Sequence, residues 1–180
     1  GSNPALTLNT TGGFLQEAYY QRTVSLWIKA ASFGSNRVIF DIGGSSNGLA
    51  LVMNSSTLTA AVASGGQRTS ITKSYGSTTG WNHVAVVYYG DSLLLYLNGA
   101  LVASTTSLNF HSISTTSDGS RIGQTNGTCA VNNASGIFSG NIDDFNVFNT
   151  ALSPDLITAL MNNAPFQQSN ATTLALPAAP

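Results

Sequence analysis

Groups able to do chemistry are scarce in this chain, and each can be weighed in turn. Retaining cleavage of a glycosidic bond needs two carboxyl groups about 5 Å apart, which a strand supplies by alternation. The one glutamate, Glu17, has no acidic neighbour in sequence. Asp143 and Asp144 are adjacent, so a regular strand sends them to opposite faces. Asp143 would then share a face with Phe145 and Val147, and Asp144 with Ile142, Asn146 and Phe148. Whichever carboxylate points inward needs a hydrogen-bond partner, because a buried unpaired charge is costly; His83 or turn amides would serve. A Ser-His-Asp arrangement would need His83 or His111. His83 sits inside an apolar strand pattern, as a structural histidine does, and His111 has no partner close in sequence. No phosphate loop or dinucleotide fingerprint occurs. Cys129 is the only cysteine, which excludes an internal disulfide and a thiolate zinc site. No cation lies near it in sequence, so its thiol is expected to be inert and partly buried. The sequence points away from an enzyme.

The elements that must position these groups are strands. His83–Tyr89 is apolar and β-branched or aromatic. Gly90-Asp91-Ser92 is turn chemistry, Leu93–Leu97 is a second strand, and Asn98-Gly99 supplies the positive φ angles of a two-residue hairpin before Ala100–Ala103 returns. Upstream, residues 5–18 read as a strand, a Gly12-Gly13 turn and another strand. Thr23–Ala30 and Arg37–Ile42 are strands. Gly48–Met53 and Leu58–Val62 form a hairpin over Asn54-Ser55-Ser56, and Arg68–Lys73 pairs again after Gly65-Gly66. Leu108–Ile113 is an edge strand or a loop, Ser120–Gly123 is short, and Ser139–Phe148 is the last long strand. Trp27 and Trp81 fall in strand patterns that read as core. One helix is expected, Pro154–Met161, with Ser153 as N-cap, Pro154 at its first position, Asp155 complementing the dipole, and Leu156, Ile157 and Leu160 on its apolar face. The fold class is therefore all-β, a two-sheet antiparallel sandwich with one short C-terminal helix.

With 180 residues the chain is long enough for one full domain. Only 7% of residues are charged, against roughly 25% in ordinary soluble domains. Ser, Thr, Asn and Gly make up the polar surface, as in secreted β-proteins. The net charge is −1 and the six cations are scattered, so nucleic acid has no electrostatic footprint to bind. No apolar run approaches the ~20 residues of a spanning helix, and membrane insertion is not expected. Gly1-Ser2 reads as a cloning remnant. Five Asn-x-Ser/Thr sequons, at Asn9, Asn54, Asn126, Asn133 and Asn170, are close to the number chance supplies in so Asn-, Ser- and Thr-rich a chain. The segment 164–180, rich in Ala and Pro, reads as a linker or tail toward neighbouring domains of a parent chain.

Several motifs in order resemble the laminin-G-like, concanavalin A-like lectin/glucanase jelly rolls. They are TVSLWIKA, RVIFDIGGSSNGLALVMN, GWNHVAVVYYGDSLLLYLNGALVAS, RIGQ, and FSGNIDDFNVFNTALSPDLITAL. The resemblance runs from about Ala5 to Asn163 and implies a jelly-roll domain over residues 1–163. It also implies a non-catalytic recognition module, secreted or at the cell surface, that binds carbohydrate or serves adhesion. The alternative it leaves open is a protein-interaction or spacer domain of a large secreted or surface protein. Many relatives bind calcium at one rim, and the matching positions are Asn47 and Asp118. Asn47 is neutral where a carboxylate would stand, so Ca2+ would be weak unless Asp41 or backbone carbonyls contribute. Sugar sites combine aromatic platforms with amides and hydroxyls. The candidates are Asn126, Asn132 and Asn133 with Tyr19 and Tyr20, and the Gly43–Asn47 loop. The expected partners are a glycan or an extracellular protein.

Overall fold

The computed structural model describes residues 6–8, 13–76 and 80–162. Twelve strands and one helix form in the order β1 (Leu6–Leu8), β2 (Gln21–Ala30), β3 (Arg37–Gly43), β4 (Gly48–Asn54), β5 (Thr57–Ser64), β6 (Gln67–Ser74), β7 (Asn82–Tyr89), β8 (Ser92–Leu97), β9 (Ala100–Thr105), β10 (Ser120–Ile122), β11 (Gly136–Ile137), β12 (Gly140–Phe148) and α1 (Pro154–Met161). One sheet runs β1-β10-β3-β4-β5-β6, with β11 added to β3 in parallel. The other runs β12-β2-β7-β8-β9. Every other pairing is antiparallel. The fold class is the expected two-sheet jelly roll with a short helix.

The main core lies between the sheets, with Val24, Leu26, Ile28, Phe40, Leu51, Val86 and Leu95 at 0% exposure. Both outer faces are also partly roofed. Cys129, Ala130 and Ala134 cover Val38, Ala50, Val52 and Ala61 on one sheet. Ala151, Leu152 and Ile157 cover Ala85, Val87 and Tyr96 on the other. This explains why β4 and β7 read as nearly continuous apolar runs rather than alternating ones: covered faces select apolar residues on both sides. The roof over the second sheet is fixed chemically. Ser153 Oγ accepts the N–H of Leu156 as N-cap, and Thr23 Oγ1 accepts the N–H of Leu152 while donating to the carbonyl of Thr150 at 2.7 Å.

Several local expectations are corrected. Residues 14–16 form a turn, not a second strand. Of the two readings of Leu108–Ile113 the loop holds, with a single bridge between Tyr19 and Ile113. Trp81 is 43% exposed, not core, because it precedes β7 instead of lying within it. Trp27 is partly buried on the outer face, edge-on to His83 at 5.4 Å. The regular alternation expected at Asp143 and Asp144 is broken. A register shift separates Asp143 from Asn146, Asp144 has φ +47°, and both carboxylates are exposed, so neither needs an inward partner. The segment 164–180 lies outside the described residues.

Candidate functional site

Ladder register places the end of β3, the start of β4, the end of β5 and the start of β10 at one end of their sheet, and the Asn47–Thr115 and Thr116–Gln16 hydrogen bonds bring the chain ahead of β2 to that end. The loops there are tied to one another. Asn47 Oδ1 accepts the N–H of Gly65 at 2.8 Å and its Nδ2 donates to the carbonyl of Thr115 at 3.1 Å. Arg68 Nε donates to the carbonyl of Ser45 at 2.8 Å, and its Nη1 donates to Asn132 Oδ1. Arg121 donates to Asn126 Oδ1 and to Thr7 Oγ1. Each tie replaces a floppy loop contact by a fixed polar one, so amides, hydroxyls and two guanidinium groups stand on a rigid rim.

Asp118 and Asp41 meet at this rim. Gly44 is there for close approach: a Cβ would collide with the Asp118 carboxylate and the Thr128 hydroxyl. Asp41 is fully buried and faces β10 through its pairing with Arg121. Its Oδ2 accepts from Thr125 Oγ1 at 2.8 Å; the Asn126 N–H and the Cys129 thiol lie near enough to favour its charged form, but Oδ1 makes no full hydrogen bond. Burial pushes its pKa up to about 7; Thr125, the Asn126 N–H and the Cys129 thiol offset part of this, and the Asp118 charge adds to it. Among the described residues no three His, Cys, Asp or Glu side chains gather as a metal set. A cation here would draw on two carboxylates and on neutral oxygens of Thr125, Thr128 and the backbone. Asn47 is at the rim as expected, but its amide serves as a loop clip.

Of the sugar candidates, Asn126, Asn132 and Asn133 are exposed, the first two held by Arg121 and Arg68. Tyr20 is 62% exposed at the same end, on the other sheet, where its carbonyl accepts the N–H of Gly90. Tyr19 is not a platform. Its ring lies under the Arg22 guanidinium, 3.5 Å from the centroid, its hydroxyl is buried, and burial pushes its pKa up to about 12. Cys129 is buried and its thiol is pushed up to about 12, by burial first and then by Asp41, as an inert thiol should be.

A serine–histidine couple does exist elsewhere. Ser25 Oγ and His83 Nε2 are 2.8 Å apart. Both residues are only 1% exposed, so no substrate reaches the hydroxyl. Burial lowers the His83 pKa, the Asp144 charge opposing it weakly.

The laminin G family model described as the concanavalin A-like lectin/glucanases superfamily matches residues 1–158. The chain belongs to this superfamily. No curated protein sequence matches it. Among solved structures, this laminin-G-type domain is similar to the CBM40 of the Ruminococcus gnavus IT-sialidase bound to α2,3 sialyllactose, at 17% identity and a TM-score of 0.70, over 87% of this chain and 91% of that one. It is also similar to the native heptameric SAP-like pentraxin of Limulus polyphemus, at 21% identity and TM-score 0.65, over 94% and 82% of the two chains. A third is the botulinum neurotoxin serotype G binding domain, at 14% identity and TM-score 0.67; the match spans 89% of this domain and 45% of that chain. At these identities the likeness is one of fold. The signal missed in the sequence was Arg22, whose neighbours Phe14 and Tyr19 mark it as a buried anchor of the rim.

Proposed function

We propose that this domain is a non-catalytic recognition module, secreted or displayed at the cell surface, that binds glycans through the rim of loops 44–47, 65–68, 115–118 and 124–135. One observation carries the reading: the rim gathers Arg68, Arg121, Asn126, Asn132, Thr125 and Thr128 around Asp118 on backbone held by polar ties. Fixed amides, hydroxyls and guanidinium groups are what oriented recognition of sugar hydroxyls requires, and prior fixing lowers the entropic cost of binding. The superfamily and the sialyllactose-bound structural neighbour support it.

Calcium belongs to the same proposal. The buried Asp41 with one oxygen lacking a full hydrogen bond, and Asp118 seated over Gly44, fit a hard cation that takes oxygen ligands. Bound there, calcium would supply positive charge that sugar hydroxyls can approach. Asp41 and Asp118 would hold it, and Thr125 would orient Asp41. With two carboxylates the site is expected to be weak, near the roughly 10⁻⁴ M range of extracellular modules.

The test is a glycan array probed with the domain in millimolar calcium and in chelator, alongside Asp118→Ala. Glycan capture that weakens in Asp118→Ala supports the proposal. No capture in either buffer would overturn glycan recognition and leave a protein-interaction role. Capture unaffected by chelator or by Asp118→Ala would remove calcium and Asp118 from it.

A further inference from the structure

Asn47, Asn98 and Asn126 each precede a glycine. An Asn-Gly pair carries its own reagents. The backbone nitrogen of the glycine can attack the asparagine side-chain carbonyl, because no Cβ on the following residue hinders the approach. The fold then decides how freely each amide turns toward that nitrogen.

Two of the three are locked. Asn47 Oδ1 accepts the N–H of Gly65 and its Nδ2 donates to the carbonyl of Thr115, while Gly48 lies in β4, paired with Gly43 on one side and Ala63 on the other. Asn98 is also held at both amide atoms: Oδ1 accepts the N–H of His83 and Nδ2 donates to Asn82 Oδ1, each at 2.9 Å. Either side chain must break two hydrogen bonds before it can turn. Asn126 differs. It and Gly127 are exposed and belong to no strand. Among the described residues its side chain makes one hydrogen bond, Oδ1 accepting from Arg121 Nε at 3.2 Å. That donor is a guanidinium at the oxygen where negative charge develops during attack, and it leaves the amide nitrogen free to depart. The Gly127 N–H is tied only to the Thr125 hydroxyl, at 3.2 Å.

We propose that Asn126 is a site of spontaneous deamidation that remodels the rim. The Gly127 nitrogen gives its proton to solvent and bonds to the Asn126 side-chain carbonyl carbon. The bond from that carbon to Nδ2 breaks, the nitrogen leaves as ammonia after taking up a proton, and a cyclic succinimide remains. Water adds to either ring carbonyl and opens it, giving aspartate or isoaspartate. Water is the only co-reactant. The aspartyl product places a carboxylate where the amide now rests against Gly119, next to Asp118; a Cβ on Gly119 would stand 3.2 Å from Asn126 Nδ2. The isoaspartyl product lengthens the main chain between Thr125 and Gly127, and the Thr125 hydroxyl is what bonds Asp41 and the carbonyl of Thr128. The modification stands whether or not the rim binds a glycan.

Peptide mapping by mass spectrometry tests it, on the folded domain incubated at mildly alkaline pH and body temperature. The mass gain of an amide-to-acid exchange, split between aspartyl and isoaspartyl peptides, should appear first at Asn126. Asn47 and Asn98 should lag by at least about fivefold, as one further hydrogen bond warrants. In the chain unfolded by guanidinium chloride the three rates should converge. Asn126→Gln, which keeps an amide but needs a larger ring to cyclise, should remove the leading product. A gain led by Asn47 or Asn98, no gain at Asn126 over the time in which the unfolded chain reacts, or the same ranking in the folded and unfolded chains would overturn the proposal.

Discussion

Arg22 is the most exacting test of how the rim is built. It is 1% exposed, and its guanidinium donates to the carbonyl of Phe14 at 2.6 Å and to that of Leu15 at 3.4 Å. It also stacks on Tyr19 at 3.5 Å and lies 5.4 Å from the Phe14 ring. A charge-assisted hydrogen bond contributes about 1.5–3 kcal/mol, and the longer contact contributes less. A desolvated cation–π contact adds up to about 2 kcal/mol. Against this stands the cost of burying a guanidinium, which an apolar replacement recovers. Arg22→Ala loses the bonds, strands two carbonyls and leaves a cavity, so it should destabilise by about 3–5 kcal/mol. Arg22→Met refills the volume and should cost roughly 1–3 kcal/mol. Urea unfolding with an unchanged slope should show that order, and the melting temperature should fall by about 2–4 °C per kcal/mol in a chain of this size. The turn at residues 14–16 should loosen in hydrogen exchange before the sheets do, because Arg22 is what ties it to β2. An Arg22→Ala variant within about 1 kcal/mol of the wild type, or one less harmed than Arg22→Met, would refute the reasoning.

Trp81→Ala should cost only about 1–2 kcal/mol, because a 43%-exposed indole forfeits far less contact than the 3–5 kcal/mol of an enclosed one; denaturant melts decide between the two values. His83 should make stability fall on acidification. Burial depresses its pKa in the fold, so the unfolded chain takes up the proton first, near pH 6.5. Its contribution is therefore complete above about pH 6.5 and is lost as pH drops toward the lower folded pKa, at up to about 1.4 kcal/mol per pH unit. The difference between wild type and His83→Asn, measured from pH 8 to pH 5, isolates this from the other titrating groups; a difference that does not change with pH would exclude it.

Strand and helix identity was legible because it rests on local chemistry. Ser153-Pro154-Asp155 specifies a helix start without help from the rest of the fold, and Asn98-Gly99, with φ angles of +50° and +79°, specifies its hairpin. What failed depended on tertiary placement. Trp81 sits in a strand-like string, yet the ladder begins at Asn82. The alternation argument for Asp143 and Asp144 was sound until a bulge, which leaves no local mark in the sequence, inserted a residue. Tyr19 and Tyr20 are neighbours of identical type, and tertiary contacts separate them: Tyr19 packs under the Arg22 guanidinium and edge-on to Tyr88, while Tyr20 is 62% exposed.

The same contrast bears on the rim. A carboxylate buried only to accept the Thr125 hydroxyl would be a poor structural choice, since an asparagine oxygen accepts that bond without a charge to desolvate. Asp41 instead places a carboxyl group where burial, and to a lesser degree Asp118, disfavour its charge, and its Oδ1 makes no full hydrogen bond. Local rules broken without local compensation concentrate at functional sites. Gly44 adds a second such feature, because its missing Cβ is what lets the Asp118 carboxylate approach at all. The calcium proposal uses both features: a carboxyl oxygen of Asp41 without a full partner, and the Asp118 carboxylate close enough to share a cation's charge.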